Sequence, residues 1–221
     1  AYWSLHNRLV RERGMGPGLA HDVDPGAAIH PSAQVEPGCR IGPGVSVGPG
    51  ALILSGTILE AGAVIGPGAI LGAEGLFSKR RPGRVLKVLH AGGVHVGPEA
   101  EIQAGCIVGR AMTVGFTRIG ARALVSAGAQ VNHGAVLEED VTLGGGSVVC
   151  GYTRIGARAW IGPNAVVADR LSIGADARVE IGATLVRDVP AGGRYAGLFA
   201  RPHRAMRRMS VALRRLAGGG R

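Results

Sequence analysis

One of the seven histidines in this 221-residue chain lies inside a regular aliphatic pattern: His133, two residues after Val131 in AQVNHGAV. That spacing predicts a place at or near a chain corner, with the ring directed outward. A neutral imidazole so placed can take a proton from an amine or hydroxyl near neutral pH, as a general base must. An ordinary surface histidine has the same signature, so position alone leaves both roles open. Three cysteines, Cys39, Cys106 and Cys150, lie far apart and form no CxxC pair, which argues against a disulfide framework and a structural zinc knot and points to a reducing cytoplasm. Nothing marks Cys150 as an activated thiolate. Toward the C terminus, Arg201, Arg204, Arg207, Arg208, Arg214 and Arg215 contribute to a net charge of +10 and imply an acidic partner. No aromatic residues interleave them for base stacking, so nucleic acid is not the partner expected.

The elements that must position these groups follow from a period of six. Aliphatic residues recur at every sixth position from Ile29 through Val35, Ile41, Val47, Ile53, Leu59 and Ile65 to Leu71, and again from Val96 through Ile102 and Val108 to Val114. After one shortened step the ladder runs from Ile119 to Leu185. Such a period is neither that of an amphipathic helix nor that of an alternating strand. It suits a triangular coil with six residues to a side, one aliphatic side chain turned inward per side, and Gly, Pro or Asn at the corners. Stacked coils then bury a continuous apolar column that no coil could bury alone. With aromatic residues at only 4%, the interior must be filled by Val, Ile, Leu and Ala in thin layers. The fold class predicted is all-β, a left-handed parallel β-helix of hexapeptide repeats with a C-terminal α-helix.

The predicted domains are an N-terminal helix and linker over 1–26, the β-helix over 27–190 and a basic C-terminal helix and tail over 191–221. A loop over 72–93, containing SKRRPGR, projects from one corner; loops of that length are usually functional or mobile. Residues 2–13 look helical and are stopped by Gly14, Gly16, Pro17 and Gly18. From about Pro202 to Leu216, Ala205, Met206, Met209, Leu213 and Leu216 stand at helical spacing between arginines. No apolar run approaches the roughly 20 residues of a bilayer span, and the first residues lack a signal-peptide core. A soluble, cytoplasmic protein without a transmembrane segment is expected.

Four stretches, IHPSAQVEPGCRIGPGVSVGPG, LGAEGLFSKRRPGRVLKV, AQVNHGAV and DVPAGGRYAGLFARPHRAMRRM, give the chain its family resemblance. Over about residues 27–215 it resembles the hexapeptide acyltransferases, most of all the UDP-3-O-acylglucosamine N-acyltransferases of lipid A biosynthesis. The hexapeptide blocks are weakly specific; the loop, the QVxH element and the basic tail in this order are more so. The resemblance implies His133 as general base, with Gln130 and Asn132 in the same element as substrate contacts. It implies the backbone N–H of Gly151, one coil higher, as the oxyanion donor, and Phe77 and Lys79 as acceptor contacts. A second family histidine is replaced by Arg170, which suits a donor phosphate, and Arg201 and Arg204 extend the donor surface. No permanently bound cofactor and no metal are implied. The donor is acyl-CoA or acyl-phosphopantetheine on acyl carrier protein, the acceptor is amino-sugar-like, and the assembly is a homotrimer.

The chain departs from that family in keeping only something like the last helix of its N-terminal uridine-binding domain. Gly134 follows His133, so any group that orients the imidazole comes from another coil or subunit. An acetyl-CoA-dependent sugar O- or N-acetyltransferase is the nearest alternative, with a similar VxH element and VPAG ending. The γ-type carbonic anhydrases hold zinc with three histidines; His90, His95 and His133 supply three, in the reverse order along the chain. A β-helix that binds or scaffolds without catalysis is the alternative outside the enzymes.

Overall fold

In a computed structural model, which describes residues 2–14, 16–197 and 203–218, the hexad ladder is wound into a three-sided column. Three parallel sheets of eight, nine and eight strands form its sides among the described residues, and the coil is left-handed. Each strand pairs with the strand one coil later: Gln130–Val131 aligns with Val148–Val149, which aligns with Val166–Val167. Strands of two residues persist because backbone groups are satisfied by neighbouring coils, as where Asn132 N–H donates to the Val149 carbonyl at 2.9 Å.

The interior is the aliphatic ladder itself. Ile41, Ile53, Leu59, Leu71, Ile102, Ile119, Val131, Leu143 and Ile161 are buried in one continuous cluster. Two residues before most ladder positions lies a second buried side chain, usually small, such as Ala51, Ala63, Ala129 and Ala159. Cys39 and Cys106 fill two of these small positions as buried free thiols, each donating to backbone carbonyls. Ile29 and Val35 are only half-buried, since no coil lies beneath them.

One ladder position is corrected. Val114 is 77% exposed and does not point inward. Between Val108 and Ile119 the chain leaves the hexad geometry, and this excursion pairs with the segment returning from the projecting loop: Ala91 and Gly92 donate to the carbonyls of Met112 and Ala111, and Gly93 to that of Gly115. Val114 keeps the six-residue step by coincidence, because the backbone between it and Val108 no longer advances along a side.

The corners also differ from the expected Gly, Pro or Asn. Left-handed φ values occur at Glu99, Arg122, Asp140, Tyr152, Arg158, Asn164, Arg170 and Asp176 as well as at many glycines. An L-residue there costs on the order of 1–2 kcal/mol, which stacking on both neighbouring coils must offset. In the lowest coil the corner N–H groups have no coil below to donate to. In the column above, Gly62 and Gly68 donate to Pro43 and Pro49; in the lowest coil Gly26 donates to Asp24 Oδ1 (2.8 Å) and Ser32 to His30 Nδ1 (3.2 Å).

The segment expected as a loop contains an antiparallel hairpin, Ser78–Arg81 with Arg84–Lys87, closed by Pro82 and Gly83. Gly83 has φ 74, the left-handed conformation that glycine adopts without penalty. Helix α1 (Tyr2–Arg13) clamps the segment that leaves this hairpin. Asn7 donates to the Lys87 carbonyl and accepts from Leu89 N–H, at 2.6 and 2.9 Å, and His6 Nε2 meets the Leu89 carbonyl at 2.9 Å. The column's strands run from Asp22–Val23 to Arg194–Tyr195, and helix α2 (His203–Gly218) follows.

Candidate active site

Strand Gln130–Val131 sets Val131 inward, and the chain turns the corner through Asn132, His133 and Gly134. Asn132 is pinned to the coil above by its side-chain amide, which donates to the Val149 carbonyl at 3.0 Å. His133 therefore projects from the outside of the corner, yet it is only 9% exposed. What covers it is aromatic: the rings of His90, Tyr152 and Phe77 lie edge-on to it at centroid distances of 5.2, 5.3 and 6.3 Å. Gly134 makes this possible, because a Cβ at that position would stand 2.8 Å from the Tyr152 ring.

The two imidazole nitrogens face different surroundings. Nε2 lies against Gly151, whose side-chain position, were it not glycine, would be 2.5 Å away. Nδ1 is buried against Gly75 and has no hydrogen-bond partner. Burial is the largest influence on the His133 pKa and holds it below the ordinary histidine range; Arg170 acts in the same direction and Asp169 opposes. His133 is thus biased toward the neutral form that accepts a proton.

One coil above His133 lies Gly151, and a further 18 residues on lies Asp169. The Gly151 N–H donates to Asp169 Oδ1 at 2.7 Å. The amide expected to face a developing oxyanion is, in this structure, occupied by a carboxylate. Tyr152 and Arg170, with φ of 58° and 61°, carry the left-handed corners of these two coils, and the Arg170 guanidinium stands 5.8 Å from the Tyr152 ring centroid. Leu76, Phe77, His133, Tyr152, Asp169 and Arg170 enclose a cavity of about 170 Å³. A larger hollow, about 1030 Å³, runs along α2, but it is an open groove of arginines with Val211 and Ala212 and lacks an acid–base group.

Of the residues expected to act together, His133, Gly151, Phe77 and Arg170 converge. Phe77 is wedged between His133 and Trp3 of α1, at centroid distances of 6.3 and 5.5 Å. Lys79 lies over the Phe77 ring, 4.8 Å from its centroid, and does not line the cavity. Gln130 is exposed on its strand, and Asn132 serves the backbone. Arg204 lines the α2 groove, and Arg201 lies outside the described residues. Cys150 is not activated, since burial and then Asp169 push its thiol pKa up. The three histidines weighed as zinc ligands do not gather: His95 meets Glu60 and Arg118 instead, and among the described residues no three His, Cys, Asp or Glu side chains are grouped to hold a metal.

Sequence reasoning missed Asp169, Tyr152, Leu76 and the α1 clamp, and it weighed His90 only as a zinc ligand. Asp169 had a usable signal, because the one-coil step that leads from His133 to Gly151 leads on to it. The place of His90 beside His133, and that of Trp3, had none, since both arrive from outside the repeat.

The column has a known fold, the left-handed parallel β-helix, which the chain shares with solved structures of low sequence identity. Among solved structures it is similar to a UDP-N-acetylglucosamine acyltransferase from Campylobacter jejuni, with a TM-score of 0.59 and 22% identity over 76% of this chain and 69% of that one. It is also similar to the enzyme of that name from Bacteroides fragilis (TM-score 0.55, 22% identity, 76% and 69% covered). A third is the UDP-N-acetylglucosamine O-acyltransferase from Moraxella catarrhalis (TM-score 0.53, 23% identity, 86% and 76% covered). No family model matches the chain, and no curated protein does.

Proposed function

We propose that this chain transfers an acyl group from a thioester of coenzyme A or acyl carrier protein to an amine of an amino sugar or related acceptor, with His133 as general base. The observation that carries the reading is the His133 ring, biased toward neutrality by burial and set with Nε2 against Gly151 in a cavity that also holds Asp169 and Arg170. Likeness of fold to solved UDP-N-acetylglucosamine acyltransferases supports the reaction class.

In this mechanism Nε2 accepts the proton of the acceptor amine as its nitrogen attacks the thioester carbonyl. The tetrahedral intermediate collapses, the C–S bond breaks, and the departing thiolate takes the proton back from the imidazolium. Gly151 N–H can stabilise the oxyanion only after the Asp169 carboxylate turns aside. Arg170 supplies fixed positive charge for the donor's phosphate. The donor is a co-substrate and nothing stays bound between turnovers.

A homotrimer in the cytoplasm is part of the same proposal. Leu52, Ile70, Ile107, Val148 and Val166 form a largely aliphatic outward row on one sheet, interrupted by Gln130 between Ile107 and Val148, that suits burial against a second copy, and free thiols suit a reducing compartment. Among the described residues no helix is long and apolar enough to cross a membrane.

The cavity, about 170 Å³ within one chain, is smaller than the roughly 300–1,000 Å³ usual for ligand pockets. Its size favours, as a second reading, a short acyl group carried by acetyl-CoA. A thiol-release screen of short and long acyl donors against amino-sugar acceptors separates the two, and the His133→Ala variant should lose about 10²- to 10⁴-fold in rate. Release that is unchanged in that variant overturns the site, and no release from any donor favours a non-catalytic scaffold.

A further inference from the structure

The mechanism uses Nε2 of His133 and leaves Nδ1 unexplained. Nδ1 is buried with no hydrogen-bond partner, and no carboxylate is bonded to it. On the segment returning from the hairpin lies His90, 3% exposed, with neither ring nitrogen bonded. The two unpartnered groups face the same spot: the position of a Cβ on Gly75 would be 3.1 Å from His133 Nδ1 and 3.2 Å from His90 Nε2. The ring centroids are 5.2 Å apart at an interplanar angle of 61°, a separation that accommodates a ring N–H···N bond of about 3 Å once a ring turns about its Cβ–Cγ bond.

We propose that His90 is the positioning residue for His133, accepting a hydrogen bond from its Nδ1–H through Nε2 and so holding the Nε2 lone pair of His133 toward the reaction cavity. This deepens the acyltransferase reading and rests on it. A neutral imidazole has one donor and one acceptor nitrogen, and the bond made by one fixes the tautomer of the other. His90 remains an acceptor while His133 takes up a proton, because burial first, and then the His133 charge, push its pKa down to about 4. The charged groups around the pair are Glu74, Lys87 and Arg110 near His90, and Asp169 and Arg170 near His133. Glu74 does not take the orienting place, being bound to Lys87 Nζ at 2.6 Å and facing the His90 backbone N–H at 3.4 Å.

The test uses the whole chain and two variants, His90→Gln, which keeps an acceptor oxygen, and His90→Phe, which does not. Imidazole ¹⁵N shifts read the His133 tautomer directly, without any substrate. The wild type should hold the Nδ1–H tautomer, His90→Gln should keep it, and His90→Phe should show a mixture. In thiol release, His90→Phe should lose about 10- to 100-fold in kcat, by analogy with the loss on removing partners that orient metal-bound histidines, with KM unchanged. Its acid limb should also move to lower pH, since the lost bond had stabilised the imidazolium. His90→Gln should stay near wild type. An Nε2–H tautomer in the wild type, an unchanged tautomer in His90→Phe, or a His90→Gln variant as slow as His90→Phe at an unchanged melting temperature would each overturn the proposal. Absence of thiol release in the wild type would overturn the acyltransferase reading alone, because the tautomer measurement still decides the role of His90.

Discussion

Replacing Gly151 by alanine tests whether the space between the column and His133 is where the chemistry happens. The new Cβ would stand 2.5 Å from His133 Nε2, 2.8 Å from Cε1 and 2.9 Å from Cδ2. Ordinary contact needs about 3.5 Å or more, so the imidazole must retreat by roughly 1 Å, and a displacement of that size costs on the order of 100-fold in rate. By the usual conversion this is about 2.7 kcal/mol of lost transition-state stabilisation. Gly151 does not have a positive φ, so alanine suits its backbone, and the amide N–H is retained. The variant therefore separates displacement of the base from loss of a donor. Overpacking of this kind costs about 1–3 kcal/mol, which corresponds to a fall in Tm of about 2–12 °C for a chain of this size. The assay is initial-rate thiol release under saturating donor, paired with thermal unfolding at the same pH. A kcat within threefold of wild type at an unchanged Tm, where about 100-fold is expected, would mean that His133 does no work facing Gly151.

Two further outcomes follow. Asp169→Asn keeps an acceptor for the Gly151 N–H but removes the charge that raises the His133 pKa, so that pKa should fall further. Because the base acts when neutral, the acid limb of the kcat profile should move to lower pH, and a limb that stays or rises contradicts the electrostatics. In the column, Leu143→Ala should cost about 2–5 kcal/mol in denaturant unfolding, whereas Val114→Ala should change stability by less than about 0.5 kcal/mol, because one side chain is buried and the other largely exposed; similar losses would restore Val114 to the interior.

The column was legible because its cause is periodic. A buried aliphatic residue at every sixth position is a constraint that repeats in every coil, and Ile119 through Leu185 obey it without interruption. Val114 was misread because the six-residue step was counted without the backbone that should accompany it. For the site, the corner of His133 and its stack with Gly151 followed from the same repeat, and Asp169 lay on that line. Phe77 came from the loop motif. Trp3, His6, Asn7 and His90 reach the site from α1 and the hairpin, where hydrogen bonds to Lys87 and Leu89 set the geometry, and no sequence period encodes such a pairing. The occupied state of the Gly151 amide was likewise invisible, since it depends on the side-chain orientation of Asp169.

A column of parallel strands has an end, and an end offers donors and acceptors to any extended chain that drifts past. At the bottom of this molecule Asp24 and His30 bend back and occupy the amides of Gly26 and Ser32. Two of the corner amides that would otherwise receive a further coil are therefore already occupied. The side chains of Asp24 and His30 thus stand in, at these two corners, for the carbonyls that a coil below would have offered.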